Sequence, residues 1–345
     1  MRLVVVGATG AVGTEILRIL EERTFPADAV VPVASARSAG RRLGFGGDSI
    51  EVVPLRPEVF EDADMALFDV PDDVALEWAP VAAARDCVVV DNSAAWRMDG
   101  AVPLVVPEIN PAALEDLPKG IVASPNCTTL AMVVPLWALH VGAGLRRVIL
   151  ASYQAVSGAG KGGVDELWDQ IERAVKDPEA VRDGSARDVL EAGSVFAHPI
   201  AMNVIPQCGS IKDDGYTSEE LKLCHETRKI MSLPDLPVTA TCVRVPVVKG
   251  HGVAVHAEFA RAIAATEARE WLAGAAGVAL SDDVAAAIYP TPLEAAGRDA
   301  CYVGRIRRDL FDDHALELFC VADNLRKGAA LNTVQIAERL CAPRG

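Results

Sequence analysis

The chain has 345 residues, of which 51% are hydrophobic, 23% charged and 5% aromatic. This length and apolar content suffice for one large or two ordinary domains, and they exclude a mainly disordered chain. The formal net charge of −15 excludes a general attraction to nucleic acid, because the phosphate backbone would repel the protein.

The N-terminal part of the chain alternates short apolar runs with helical patterns. Strands are predicted at residues 2–6, 30–34, 65–70 and 87–90, with a helix after the first strand and an Ala-rich helix at 74–84. Strands that alternate with helices are typical of a parallel sheet covered on both faces. We therefore predict an α/β domain of the doubly wound, Rossmann type.

The pattern changes after about residue 126. Longer, partly alternating strands are predicted at 147–154, 238–248 and 253–259, with helices at 164–176, 218–231 and 327–340. This mixture predicts a second domain of the α+β class. We place residues 1–126 together with the C-terminal segment 323–345 in the first domain, and residues 127–322 in the second.

The eight cysteines form no CxxC pair, and no apolar run has the length of a membrane span. No secretory signal pattern is present at the N-terminus, so we expect a soluble cytoplasmic protein with reduced thiols. We expect no metal site, no membrane partner and no nucleic-acid partner.

The glycine-rich segment Gly7-Ala8-Thr9-Gly10-Ala11-Val12-Gly13 lies between the first strand and the first helix. Such a turn lets a dinucleotide diphosphate approach the free N–H groups of the helix. A bare strand-to-helix turn is the alternative. After the second strand no carboxylate is found for a ribose 2′-hydroxyl, whereas Arg37 and Ser38 suit a 2′-phosphate, which favours NADP over an exposed polar loop.

Three further segments carry candidate reactive or anion-binding residues. Cys127 lies in Ser-Pro-Asn-Cys-Thr-Thr at the start of a predicted helix, where the helix dipole would stabilise a thiolate nucleophile. A buried structural thiol fits this position equally well. Arg244 lies on an apolar strand and needs an anionic partner. His251 begins the next strand and is either a core residue or a catalyst. Glu219 and Lys222 share a helix face, as an ordinary surface pair also would.

Taken together, the motifs of this chain resemble those of the aspartate-semialdehyde dehydrogenase family over nearly the whole length. The resemblance is carried by GATGAVG at 7–13, DNSAAWR at 91–97, SPNCTT at 124–129, YQAVSGAG at 153–160, NVIPQ at 203–207, DGYTSEELK at 214–222, RVPVVKGH at 244–251, PTPLEAAG at 290–297 and NLRKGAALNTVQIAE at 324–338. The order and spacing of these segments make the resemblance specific.

The resemblance implies a role for individual residues. Cys127 would be the nucleophile, His251 the general acid/base and Gln154 the group that orients the acyl carbon. Arg244 would bind the substrate carboxylate and Glu219 its amino group. The other implied contacts are Arg97, Asn126 and Lys222 for phosphate, and Gly7, Thr9, Gly10, Ala11, Val12, Gly13, Arg37, Ser38, Ser157, Gly158 and Asn324 for NADP.

The implied reaction is the reversible, NADPH-dependent conversion of L-4-aspartyl phosphate to L-aspartate 4-semialdehyde through a cysteine thioester. It would supply lysine, diaminopimelate, threonine, methionine and isoleucine synthesis, in a homodimer or a tetramer built from dimers. The second domain would then serve both catalysis and dimerisation.

The chain departs from the family pattern at two places. Asp69-Val70-Pro71-Asp72-Asp73 replaces a small Ser/Gly-containing loop after the third strand, and Gly252 replaces the serine that usually follows the histidine. Extra carboxylates near a cofactor phosphate are unfavourable, so the first departure bears on cofactor affinity or on the position of the loop.

Three other functions compete with this interpretation. N-acetyl-glutamyl-phosphate reduction uses the same thioester chemistry, but an acetylated nitrogen has no charge for Glu219 to bind. A silent NADP-binding or redox-sensing protein would have no need of Cys127, Gln154, Arg244 and His251 together. Glyceraldehyde-phosphate dehydrogenases share a Cys/His pair, but the surrounding motifs differ.

Overall fold

The computed structural model describes residues 1–342. These residues form two compact units, each of which combines distant parts of the chain. The first unit contains residues 1–130, 225–234 and the C-terminal segment from 326 onward, and the second contains 131–224 and 235–325.

The elements are numbered in chain order. The strands are β1 (Arg2–Val6), β2 (Ala29–Ala34), β3 (Arg42–Phe45), β4 (Asp48–Glu51), β5 (Val53–Pro54), β6 (Met65–Phe68), β7 (Val88–Asp91), β8 (Ile121–Ala123), β9 (Leu145–Gln154), β10 (Val238–Arg244), β11 (His251–Phe259), β12 (Val278–Leu280), β13 (Cys301–Arg308) and β14 (Ala315–Ala322). The helices are α1 (Ala11–Glu22), α2 (Asp72–Ala83), α3 (Cys127–Ala143), α4 (Gly160–Lys176), α5 (Pro178–Arg182), α6 (Ser218–Ile230), α7 (Ala265–Ala273), α8 (Pro292–Ala295) and α9 (Leu331–Cys341).

The first unit is built on a six-stranded parallel sheet with the order β5-β2-β1-β6-β7-β8. Its central strands are continuous apolar runs because helices cover both faces; β6 is buried at every residue. The chain first moves from β1 toward β2 and then returns to the other side of β1 at β6. The carboxyl ends of β1 and β6 therefore flank the crevice in which such sheets bind ligands.

The second unit is built on a mixed six-stranded sheet with the order β10-β9-β11-β14-β13-β12. Strands β9 and β10 run parallel, while β11 is antiparallel to β9. The register pairs Arg244 with Gln154 and Gly252 with Tyr153. As a result the ends of β9 and β10 and the start of β11 meet at one edge of the sheet.

The predicted fold class is confirmed, and most predicted elements have a counterpart within a few residues. The predicted strand 238–248 is too long, because β10 ends at Arg244. Pro246 has no N–H to donate to a neighbouring strand, and a hydrogen bond from the N–H of Val247 to the carbonyl of Val245 turns the chain. The C-terminal helix is α-helical only from Leu331, because residues 326–330 form a π-helical turn. Within residues 1–342, none of the helices combines the length and the apolar character needed to cross a membrane.

Candidate functional site

The glycine turn of the first unit has the geometry that a dinucleotide diphosphate requires. Gly7 has φ +90°, and a β-carbon there would overlap the carbonyl oxygen of Asp69. A β-carbon on Gly13 would overlap the carbonyl oxygen of Gly7, so glycine is needed for α1 to pack close to β1. The first turn of α1 has no acidic residue, and Gly10 gives it no side-chain cap. Its N–H groups thus suit an anion, and the turn fits a pyridine nucleotide.

The segment after β2 supplies cationic and hydroxyl groups and no carboxylate. Arg37 and Ser38 lie in a short 3₁₀ turn at 36–38, directly after β2, and the Arg37 side chain is exposed. An exposed guanidinium at this edge of the sheet can bind a 2′-phosphate without first giving up a buried partner.

Cys127 is the first residue of α3. The side-chain oxygen of Asn126 accepts hydrogen bonds from the N–H groups of Thr128 (2.8 Å) and Thr129 (3.3 Å), and so fixes the start of this helix. The Cys127 side chain is only partly buried, unlike that of Cys87, Cys242 or Cys320. Burial raises the pKa of the Cys87 thiol to about 12, which makes that cysteine unsuited to act as a nucleophile at neutral pH.

Arg97 is held at the base of this segment by a buried ion pair. Its Nη1 lies 3.0 Å from Oε1 of Glu226, while Nε donates to the carbonyl of Ser124 and Nη2 to that of Asn92. The other carboxylate oxygen of Glu226 accepts from the N–H of Asn126 at 2.6 Å. Glu226 thereby joins two of the three residues that the resemblance assigns to phosphate.

The second unit brings Gln154, Arg244 and His251 to the same edge of its sheet. Nδ1 of His251 accepts the N–H of Ala155 at 3.0 Å, and Nη1 of Arg244 donates to the carbonyl of Ala155 at 2.7 Å. A single peptide segment at the end of β9 thus orients both His251 and Arg244. Nε2 of Gln154 donates to Oγ of Ser152 at 3.2 Å.

His251 is fully buried, and its Nε2 has no hydrogen-bond partner within residues 1–342. Burial, together with the charge of Arg244, lowers the pKa of the imidazole to about 3. The ring is consequently neutral. Because Nδ1 accepts from an amide, hydrogen-bond geometry assigns the proton to Nε2. An unpaired buried N–H of this kind is available to a ligand oxygen.

The predicted contact residues around this edge are connected to one another. Nδ2 of Asn324 donates to Oγ of Ser157 at 3.0 Å, and Oδ1 of Asn324 accepts the N–H of Gly250 at 2.8 Å. A β-carbon on Gly158 would lie 2.8 Å from Nη1 of Arg244 and 3.1 Å from Nε2 of His251. Only glycine leaves the space in front of both groups open.

Glu219 and Lys222 face each other on α6, with Nζ of Lys222 3.4 Å from Oε2 of Glu219. The start of α6 is fixed by Glu220, whose carboxylate accepts the N–H groups of Thr217 (2.7 Å) and Cys242 (2.9 Å). In the second unit a small cleft is lined by Arg244 and by Ala159, Val195, Phe196, Ala197, Ile205, Gln207, Cys208 and Gly209. The guanidinium of Arg244 lies 6.0 Å from the centre of the Phe196 ring.

Glu226 and Lys229 are two further residues of this site that were not predicted from the sequence. Nζ of Lys229 donates to the carbonyls of Arg97, Asp99 and Val102, each at 2.8 Å, and so holds the chain that carries Arg97. Glu226 lies one turn beyond Lys222 on α6, a helical spacing that could have indicated it.

Two comparisons with protein families match separate parts of the chain. Residues 2–117 match the family described as semialdehyde dehydrogenase, NAD binding domain. Residues 136–327 match the one described as semialdehyde dehydrogenase, dimerisation domain.

The chain is also similar to named relatives over nearly its whole length. It is 50% identical to an aspartate-semialdehyde dehydrogenase of Streptomyces akiyoshiensis, with 99% of each chain covered. Among solved structures it resembles aspartate semialdehyde dehydrogenase II from Vibrio cholerae, with a TM-score of 0.92, 40% identity and 98% of each chain covered. The same Vibrio enzyme complexed with ASA gives a TM-score of 0.92 at 39% identity, over 98% of this chain and 97% of that one.

Proposed function

The chain belongs to the aspartate-semialdehyde dehydrogenase family, and we propose that it reduces L-4-aspartyl phosphate to L-aspartate 4-semialdehyde with NADPH, through a thioester on Cys127. The observation that carries the proposal is the edge of the second sheet, where the unpaired Nε2–H of His251 lies beside Arg244. A catalytically silent protein gains nothing from a buried, unsatisfied donor, which costs stability.

Cys127 supplies the nucleophile. Its place at the first residue of α3 puts the sulfur at the positive end of the helix dipole, which stabilises the thiolate. The thiolate attacks the acyl carbon, a carbon–sulfur bond forms, and the bond from that carbon to the phosphate oxygen breaks. When bound, NADPH would supply the hydride that reduces the resulting thioester. The carbon–sulfur bond then breaks, which releases the aldehyde and restores the Cys127 thiolate.

His251 acts on the oxygen of the acyl group. In the neutral tautomer its Nε2–H donates a hydrogen bond to this oxygen, which stabilises the negative charge that develops there. Taking up a proton at Nε2 as a base would require the other tautomer and the loss of the bond from Ala155. We therefore propose that His251, expected as the general acid/base, acts mainly by donating a hydrogen bond to the acyl oxygen. Gln154 orients the same acyl group.

Substrate recognition is assigned to oppositely charged pairs. Arg244 binds the substrate carboxylate, for which a guanidinium offers parallel N–H donors, and Glu219 binds the substrate ammonium. Arg97, Asn126 and Lys222 bind the phosphate. Glu219 is also the reason for preferring a free amino acid over an N-acetylated one, because an amide nitrogen carries no charge.

Cofactor preference and assembly follow the same reasoning. We propose NADP as the nucleotide, since Arg37 and Ser38 follow β2 where an NAD site usually carries a carboxylate. Contacts to it are assigned to the turn 7–13 and to Ser157, Gly158 and Asn324. We propose that the enzyme functions in the cytoplasm as a homodimer, or as a tetramer of dimers, within the pathway to lysine, threonine, methionine and isoleucine.

The first experiment runs the reaction in the oxidative direction. Purified protein is mixed with L-aspartate 4-semialdehyde, inorganic phosphate and NADP, and NADPH formation is followed by absorbance, with Cys127→Ser as the control. NADPH should form only when phosphate is present and should not form with the variant. Folded protein could give no signal from L-aspartate 4-semialdehyde with either NADP or NAD, and yet give a signal from N-acetyl-glutamate semialdehyde. In that case the substrate assignment is wrong.

A further inference from the structure

Asp69 lies at the reversal point of the first sheet. It directly follows β6, the strand that pairs with β1 on the side opposite β2. Its N–H donates to the carbonyl of Val6 at 2.9 Å, and its Oδ2 would lie 3.7 Å from a β-carbon placed on Gly10. The Asp69 carboxyl therefore lies against the turn that fits a dinucleotide diphosphate.

Apart from the positive end of the α1 dipole, the surroundings of this carboxyl hold little that balances a negative charge. Oδ1 accepts one long hydrogen bond, 3.4 Å, from Nδ2 of Asn92. Asp91 at the end of β7 adds a repulsive charge, while the attractive charge of Arg97 is shared with the Glu226 carboxylate. At the start of α2, Asp72 raises the pKa of Asp91, and the turn 7–13 contributes no titratable side chain.

The balance of these effects shifts the carboxyl toward the neutral acid, while the carboxylate still predominates in the free protein above about pH 6. Burial is the main cause that raises the pKa of Asp69, to about 6. Arrival of a diphosphate would add negative charge within the same crevice, which penalises the carboxylate further. The neutral form instead has an O–H that can donate to an anion.

We propose that Asp69 enters the nucleotide complex as the neutral carboxylic acid and donates its O–H to a diphosphate oxygen, so that nucleotide binding takes up one proton. The inference rests on the proposed binding of a pyridine nucleotide by the first unit, but not on a preference for NADP. It makes Asp69 a residue that sets cofactor affinity as a function of pH.

The test is calorimetric titration of the full-length protein with NADPH, and separately with NADH, at pH 7.5 in two buffers of different ionisation enthalpy. The difference in observed binding enthalpy between the two buffers gives the number of protons taken up on binding. We expect close to one proton for the wild type and none for Asp69→Asn. Asp73→Asn, which removes an exposed carboxylate from the first turn of the nearby helix α2, is the matched control and should behave as the wild type.

The pH dependence gives a second readout through NADPH fluorescence. For one group with a pKa of about 6, affinity should fall by about 50-fold between pH 6 and pH 8, and this fall should be missing in Asp69→Asn. The 2′-phosphate titrates near the same pH in every variant, so the difference between variants isolates Asp69.

Two results would overturn the inference. Binding without proton uptake, accompanied by weaker binding of Asp69→Asn at every pH, would show that Asp69 acts as a carboxylate acceptor, for example to a ribose hydroxyl. It would leave nucleotide binding intact. Folded wild-type protein that binds neither NADPH nor NADH would contradict the proposed function as well as the role of Asp69.

Discussion

The ring of Phe319 fills the space that a side chain at Gly252 would need: a β-carbon on Gly252 would lie 2.8 Å from Cζ of Phe319. Gly252 immediately follows His251, and the Phe319 ring lies 6.0 Å from the Tyr153 ring. The glycine is therefore a packing requirement of β11 against β14 in this chain. It leaves the hydrogen bond between His251 and Ala155 intact.

Introducing serine at this position should test that interpretation. Gly252→Ser should destabilise the protein by about 1 kcal/mol, because the partly buried Phe319 ring must move away from residue 252. The double variant Gly252→Ser/Phe319→Ala should be more stable than the sum of the two single effects predicts, by at least about 0.5 kcal/mol. Urea unfolding of the four proteins gives this coupling energy. Simple additivity would show that the ring and residue 252 are independent.

A methyl group at residue 158 should impair catalysis more than folding. In Gly158→Ala the new β-carbon would lie 2.8 Å from Nη1 of Arg244, which is the end of a flexible side chain and can shift. The shift would displace the guanidinium from the substrate carboxylate, so we expect a loss of kcat/KM on the order of tenfold or more, mainly through KM. Gly100→Ala, in open space, is the control. Equal kinetics for both variants would remove Arg244 from the proposed site.

The local parts of the fold and site could be predicted from the sequence. The turn 7–13 and the start of α3 at Cys127 depend on residues that are neighbours in the chain. Their pattern of glycines, proline and helix formers can be recognised directly in the sequence. Asp69 was visible as a departure from the family pattern. The direction of its side chain was not, because that depends on how β6 packs beside β1.

The non-local parts could not be predicted. Gln154, Arg244 and His251 meet because of strand register, and no spacing along the chain specifies which residues of β9, β10 and β11 lie side by side. Arg97 and Glu226 are 129 positions apart, so nothing in either segment indicates that their charges pair. The same holds for Lys229, which resembles an exposed helix residue until its three carbonyl partners are seen.

The ion pair between Arg97 and Glu226 should contribute strongly to stability. Their side chains are 9% and 1% exposed, so Glu226→Gln would remove the carboxylate that pairs with the buried guanidinium. We expect a loss of about 3 kcal/mol in the free energy of unfolding, together with reduced activity. Asp165→Asn, which breaks the exposed pair with Lys161, should cost no more than about 0.5 kcal/mol. Equal losses from chemical denaturation of the two variants would contradict this account of the pair.

The neutral state of His251 should make stability depend on pH in a defined window. The folded-state pKa of about 3 lies below the ordinary value of 6.5, so the unfolded chain binds a proton that the folded protein does not. Above pH 6.5 the titration of His251 does not change the free energy of unfolding. As the pH falls from 6.5 toward 3, the free energy of unfolding decreases by about 1.4 kcal/mol per pH unit.

The measurement compares the wild type with His251→Gln, which removes the titration, by urea unfolding at pH 7, 5.5 and 4.5. The wild type should lose stability relative to the variant as the pH falls, and the difference between the two should be constant above pH 7. A difference that does not change with pH would mean that the folded imidazole can be protonated. In that case His251 would not be a buried, neutral ring with an unpaired Nε2–H. The proposed hydrogen bond from Nε2–H to the acyl oxygen would then be wrong as well.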